Sequence, residues 1–235
     1  MSYSTSPDSL KSFVLATYWR HSNGGLVPFA KPSITVSRET GSDGEAICQL
    51  LGERLSETMP DPWSVWDRNL LHLVLKEMNL SDKVAEFLPE TGRTGVHAFV
   101  RELLGVHPSM WTMVEKTNET IERLARVGNV IIVGRGAHLV AARYRKTFSV
   151  RIVCPLEERV RRFAAQNEDL DRDGARKVIQ KEDRDKEEYL AKHFYHDIND
   201  PHDYDLVVNT RHLKPHEAVG LIETAFAEFL KAQDD

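Results

Sequence analysis

The stretch ITVSRETGSDGEAI, residues 34–47, sets a short apolar run against a glycine-containing loop and then a helix-like pattern. A buried strand that feeds a helix through such a loop is the opening of a parallel α/β unit. A loop in that place offers unpaired backbone N–H groups and the positive end of a helix dipole, a pairing suited to phosphate. Gly41 and Gly44 permit tight backbone geometry and Ser42 adds a hydroxyl, so Gly41, Ser42, Asp43 and Gly44 form a candidate phosphate cradle. With Gly44 as the second glycine of GxxxxGK[ST], the first glycine becomes Glu39, the lysine Glu45 and the hydroxyl residue Ala46. Asp43 and Glu45 repel a polyphosphate unless a cation intervenes, and Arg38, just past the strand, is the candidate for that cation. The competing reading is a glycine turn that only joins strand to helix.

Outward from this loop, strands and helices alternate. Residues 44–57 read as a helix with Ile47, Leu50, Leu51 and Leu55 on one face, and 63–67 as a second strand followed by a helix, RNLLHLVLKEM. Short helices and a TGRTG turn are expected from Ser81 to about Gly105, then a long helix from near Pro108. NVIIVG (129–134), FSVRIVC (148–154) and YDLVVN (204–209) are strands, and KPHEAVGLIETAFAEFLKA closes the chain as a helix. Five apolar strands separated by helices predict a three-layer α/β domain with a parallel sheet covered on both faces. The domain is expected to span 32–235, behind an N-terminal extension, 1–31, whose SPDSLKSFVLATYWR predicts one short amphipathic helix.

The bulk properties narrow the functional classes. A net charge of −5 over 235 residues argues against duplex nucleic acid as a partner. Two cysteines, Cys48 and Cys154, without a CxxC pair argue against a disulfide framework or a zinc site, and fit a reducing compartment. No run approaches the ~20 apolar residues that span a bilayer, and no leader pattern opens the chain, so the expectation is a cytoplasmic protein without a membrane partner.

Several further clusters carry chemistry. VIIVGRGAHLV follows a strand but reads GxGxxL, with Leu139 where a third small residue belongs, a poor match to a dinucleotide site. Arg135 at that strand's carboxyl end is better read as a guanidinium directed into the same cleft as the glycine loop, where it matches phosphate bidentately, or else as a surface ion pair. The run 156–195 carries Arg159, Arg161, Arg162, Arg172, Arg176, Lys177, Lys181, Arg184 and Lys186 among acids. Most of these suit a solvated helix pair, but a helical lid can also bring cations to a transferring phosphoryl group, and Arg184 with Asp183 is the selected pair. HFYHDINDPHDYD concentrates histidines and aspartates without HExxH spacing, and is read as surface, with no dedicated metal site. Asp67, at the end of the second strand, either orients an acceptor substrate or a magnesium-bound water, or simply caps the next helix.

Taken in order, ITVSRETGSDGEAI, VIIVGRGAHLV, VRIVCPLEERVRR and DRDKEEYLAKHFYHDINDPHDYDLVVNT resemble the cytidylate kinase-like family, a nucleoside monophosphate kinase branch of the P-loop fold, over about residues 32–230. The resemblance implies a five-stranded parallel sheet of order 2-3-1-4-5 and a helical lid. It also implies transfer of the γ-phosphoryl of ATP, with Mg2+, to a nucleoside monophosphate such as CMP. By position, Gly41, Ser42, Asp43 and Gly44 then cradle donor phosphates, Arg135 meets the acceptor phosphate, and Arg184 is the lid arginine beside Asp183. Tyr204, Asp205 and Leu206 fall in the last strand. The chain departs from the family in two places: GSDGE stands for the usual GSGG with a basic or polar follower, and Gly136 for an aspartate after GR.

Two functions follow as expectations. One is a phosphotransferase acting on nucleotides, resting on positioning and electrostatics. The other is a nucleotide-binding protein with a kinase fold that has lost transfer, which Glu45 and Ala46 favour. The oligomeric state is left open.

Overall fold

The computed structural model describes residues 31–67, 110–167 and 169–234. The expected N-terminal helix, the helix after Asp67, the short helices from Ser81 and the start near Pro108 lie outside them. Within them the chain runs β1 (Ser33–Arg38), α1 (Gly44–Thr58), β2 (Ser64–Trp66), α2 (Met110–Val127), β3 (Val130–Val133), α3 (Ala137–Ala141) and β4 (Thr147–Val153). It continues through α4 (Leu156–Gln166), α5 (Arg172–Phe194), β5 (Leu206–Asn209) and α6 (Pro215–Asp234).

All five strands are parallel and lie in the order β2-β3-β1-β4-β5. β1, with every residue buried, is the centre. Successive side chains of β3 go to opposite faces, as a strand's period of two requires. Ile131 and Val133 join a core with α1 and α6 that includes Leu51, Ile222 and Phe226. Val130 and Ile132 join Trp66, Ile121, Leu124 and Ala141 under α2 and α3.

β1 and β4 differ from the wholly apolar strands that the sequence suggests. Ile34 and Val36, with Phe148, Val150 and Ile152, face the α1–α6 core. The alternate positions are Ser33, Thr35 and Ser37 on β1, and Ser149 and Arg151 on β4, with Ser37 opposite Arg151. One half of the second face is therefore polar at the carboxyl ends of the central strands, and there the sheet opens to a cleft instead of to a third apolar helix.

The charged run is a pair of helices, as its sequence suggests. α4 ends at Gln166, and α5 restarts with the Asp171 carboxylate accepting the Gly174 N–H at 2.7 Å, an N-cap that satisfies an otherwise orphaned helix donor. Val160 of α4 packs on Ala175 and Ile179 of α5, so the pair has a small core of its own, as a lid needs. The last strand also starts later than expected. Tyr204 and Asp205 precede β5 because the Asp205 carboxylate takes the Ser149 N–H at 2.7 Å and its hydroxyl at 2.8 Å, docking the chain before the ladder begins.

Candidate active site

The loop between β1 and α1 is short and internally fixed. Gly41 and Asp43 both have left-handed backbone, φ 78° and 63°, while the Ser42 hydroxyl donates to the Glu39 carbonyl at 2.7 Å. Gly44, the first residue of α1, has no room for a side chain: a Cβ there meets the Arg38 stem at 2.8 Å. Arg38 thus runs across the helix start, is itself buried, and lines both cavities described below.

Side chains from the lid hold this loop. The Thr40 N–H donates to Asp183 Oδ1 at 2.9 Å and its hydroxyl to Glu182 at 3.0 Å. Arg159, buried on α4, donates to the Cys154 carbonyl at 2.7 Å, to the Thr40 carbonyl at 3.1 Å and to Asp183. Its Nε also lies 3.4 Å from Glu39, whose carboxylate accepts the Cys154 N–H at 2.7 Å. Lys186 stands 3.4 Å from Asp183 and also reaches the Thr40 hydroxyl. Asp43 is taken by Arg162 at 2.9 Å. Burial raises the Asp183 carboxyl's affinity for a proton, but the Thr40 N–H, Lys186 and Arg159 outweigh it and hold Asp183 below the usual carboxylate range.

Two cavities adjoin one another at the carboxyl ends of the central strands, beneath α5. The first, about 360 Å³ with its solvent-open part, lies at the end of β3 and is lined by Arg38, Arg135, Lys186, Ser37, His138 and Tyr189, among others. Its described wall has three cations and no carboxylate. The second, about 320 Å³ on the same basis, lies toward β4 and is lined by Arg38, Arg151, Arg159 and Lys186 with Glu39, Asp183 and Glu187. Arg38 and Lys186 are common to both.

The GRG turn that carries Arg135 is strained in the way functional turns are: Gly134, Arg135 and Gly136 are all left-handed, at φ 79°, 57° and 70°. For arginine that conformation costs ~1–2 kcal/mol. Its guanidinium lies 5.8 Å from the Tyr189 ring centre, a cation–π distance. A Cβ on Gly136 meets the Phe194 ring at 2.7 Å, so the glycine that replaces an aspartate gives that space to the end of the lid helix. His138 stacks on Tyr204 with ring centres 4.7 Å apart. Burial pushes its pKa down to about 4, with Asp203 opposing and Arg151 assisting, so it is neutral at pH 7.

The sequence-selected residues separate into three groups. Arg38, Arg135 and Asp183 meet at the cleft. Gly41, Ser42, Asp43 and Gly44 form the adjoining loop but line neither cavity. Arg184 is exposed on α5 and Asp67 follows β2, and neither is in the described lining of these two cavities. On α5 it is Lys186, one turn beyond Asp183, that faces the cleft, because residues three apart share a helix face and neighbours do not. Asp67, with Glu45, adds to the burial that raises the Cys48 thiol to about 12, against the pull of Arg38. Cys48 is therefore an inert thiol.

Arg151, Arg159 and Lys186 complete the cleft, although sequence reasoning did not select them. Arg151 had a usable signal: a charge at an alternate position of an otherwise apolar strand. Arg159 had none, because it stands among equally charged neighbours. Among the described residues no group of three or more His, Cys, Asp or Glu is arranged to hold a metal ion. Beside the loop, Glu39, Asp183 and Asp43 are each held by arginine or lysine, and Ala46 stands where the GxxxxGK[ST] pattern has its hydroxyl. None of the described helices is long and apolar enough to cross a membrane.

Comparison with known proteins agrees with this geometry. The cytidylate kinase-like family matches residues 33–212. An uncharacterized protein from Eubacterium ventriosum has the same fold, with TM-score 0.62 and 16% identity over 84% of this chain and 99% of its own. Shikimate kinase from Acinetobacter baumannii, solved with shikimate, has TM-score 0.47 at 14% identity, covering 85% of this chain and 95% of its own. The Mycobacterium tuberculosis APS kinase CysC, solved with AMPPNP and APS, also has 0.47 at 14%, covering 85% and 99%. No curated protein matches the sequence.

Proposed function

The chain belongs to the cytidylate kinase-like family, and from that premise we propose that it transfers the γ-phosphoryl group of ATP to a nucleoside monophosphate such as CMP or a related small acceptor. The observation that carries this reading is the pair of cavities joined through Arg38 and Lys186. Phosphoryl transfer needs cations that stay in contact with the group as it passes from one oxygen to another. Two cations shared by adjoining lobes supply that. The lobe with Arg135, which has no acid among its described residues, suits an acceptor phosphate, and the lobe beside the Thr40 loop suits the donor.

In this reading Arg135 orients the acceptor dianion, held over Tyr189, while Arg38 and Lys186 offset charge on the equatorial oxygens. Asp183 and Glu39 set the positions of Arg159 and Lys186. The cytoplasm, with its reducing conditions, suits the two unpaired buried cysteines. Magnesium is proposed to arrive with the nucleotide phosphates, and no step is assigned to it.

A second reading has its own observation. The Asp183 carboxylate sits on the Thr40 N–H and between Arg159 and Lys186, as a phosphate oxygen does in a loop of this kind. A chain that fills its own loop in this manner suits a nucleotide-binding protein that no longer transfers phosphate. Nucleotide binding without product from any acceptor supports this second reading; diphosphate formed by the wild-type chain excludes it.

A further inference from the structure

Arg151 is 5% exposed, yet its side-chain hydrogen-bond partners are neutral. Nη1 donates to the Ser37 hydroxyl at 2.8 Å and Nη2 to the Asn199 side-chain carbonyl at 3.1 Å. Nε is buried and has no partner. No carboxylate among the described residues lies within ion-pair distance of it. Arg159, equally buried in the same wall, has Asp183 and Glu39. A buried charge is retained when something pairs with it, and an unpaired guanidinium is among the costliest groups a protein can bury.

Its place says what that partner is. Arg151 stands opposite Ser37, one residue before Arg38, and lines the second cavity with Arg38, Arg159 and Lys186. Two of that cavity's three acids, Glu39 and Asp183, already serve Arg159 and Lys186. The wall keeps a positive excess at the strand ends, in a space that opens to solvent. We propose that Arg151 is a phosphate-binding residue, and that the ligand of this lobe, a phosphate monoester or pyrophosphate group, supplies the counter-charge that the chain does not. This rests on the reading of the cleft as a site for phosphorylated ligands, and adds to it a binding residue outside the loop and lid.

The test is thermal unfolding of the full chain in inorganic phosphate against chloride at equal ionic strength, for wild type, Arg151→Gln and Arg151→Lys. Glutamine keeps a donor for Ser37 and removes the charge. The expected result is a phosphate-dependent rise in Tm for wild type and an apparent phosphate affinity about tenfold weaker in Arg151→Gln, with part of it restored in Arg151→Lys. Without phosphate, Arg151→Gln is expected to melt at or above the wild-type temperature, because it removes an uncompensated charge. An arginine with only a structural role gives the reverse: a lower Tm without phosphate and an undiminished rise with it. That result overturns the proposal while leaving the phosphotransfer reading intact. No rise in wild type overturns both.

Discussion

The two lobes of the cleft share two cations, Arg38 and Lys186, and differ in the charges around them. On the loop side, Arg159 meets Asp183 and Glu39, Arg162 meets Asp43, and the Thr40 amide meets Asp183. On the β3 side, Arg38, Arg135 and Lys186 line a cavity with no carboxylate among its described residues. The loop side holds its shape through arginine–carboxylate pairs and leaves Arg151 for a ligand's charge, whereas the described wall of the β3 side carries cations without a carboxylate. A buried pair is costly to break and contributes little to binding, whereas a cation facing an open cavity contributes to binding and little to folding. Substitutions on the two sides are therefore expected to separate stability from activity.

The largest effect is expected at Arg159. Arg159→Ala removes a buried guanidinium, leaving Glu39 without its cation and Asp183 with Lys186 alone, and urea unfolding should show a loss of ~3 kcal/mol. A loss below ~1 kcal/mol means that the loop side is not self-compensated. Next comes His138, at the edge of the open lobe. Its folded pKa of about 4 lies below the ordinary 6.5, so its contribution is full above 6.5 and falls as pH drops toward 4. At ~1.36 kcal/mol per unit, the loss reaches ~3 kcal/mol by pH 4. His138→Gln should flatten that part of a stability–pH profile, and an unchanged slope assigns it to other groups.

On the open side, Arg135→Ala and Lys186→Ala should each lower phosphate transfer by ~100-fold, with the denaturation midpoint near wild type in Arg135→Ala and lower in Lys186→Ala, which also loses the Asp183 contact. Arg184→Ala, on the outer face of α5, should stay within about fivefold, the scale of an exposed charge. A steep loss in Arg184→Ala with none in Lys186→Ala reverses the orientation assigned to the lid. The smallest effect is expected at Glu45, exposed in the first turn of α1. Glu45→Lys should tighten ATP binding by no more than about fivefold in a titration, because the change acts through solvent.

The same division explains what the sequence disclosed. The sheet order and the strand-to-helix loop were legible because apolar runs and glycines are local signals, and because their succession resembles one family along most of the chain. Arg38 and Arg135 were legible because each follows directly on a strand and so must stand at its carboxyl end. The lid cation was not. Arg184 and Lys186 sit two residues apart in an evenly charged run, and only the docking of α5 on Thr40 decides which one turns inward. Arg159 was hidden for the same reason, its partners Glu39, Thr40 and Asp183 being distant in the chain. Gly136 read as a lost aspartate; the Phe194 ring against it accounts for the space, a contact across some sixty residues that no local pattern announces.

The most direct measurement is to incubate the purified chain with magnesium, γ-labelled ATP and a panel of nucleoside monophosphates, and to separate the products. The account expects label on the diphosphate of CMP or a close relative, and its loss in Arg135→Ala. Saturable nucleotide binding by the wild-type chain with no labelled product from any acceptor contradicts it, and makes the Asp183-filled loop the resting state of a protein that binds nucleotides without transferring phosphate.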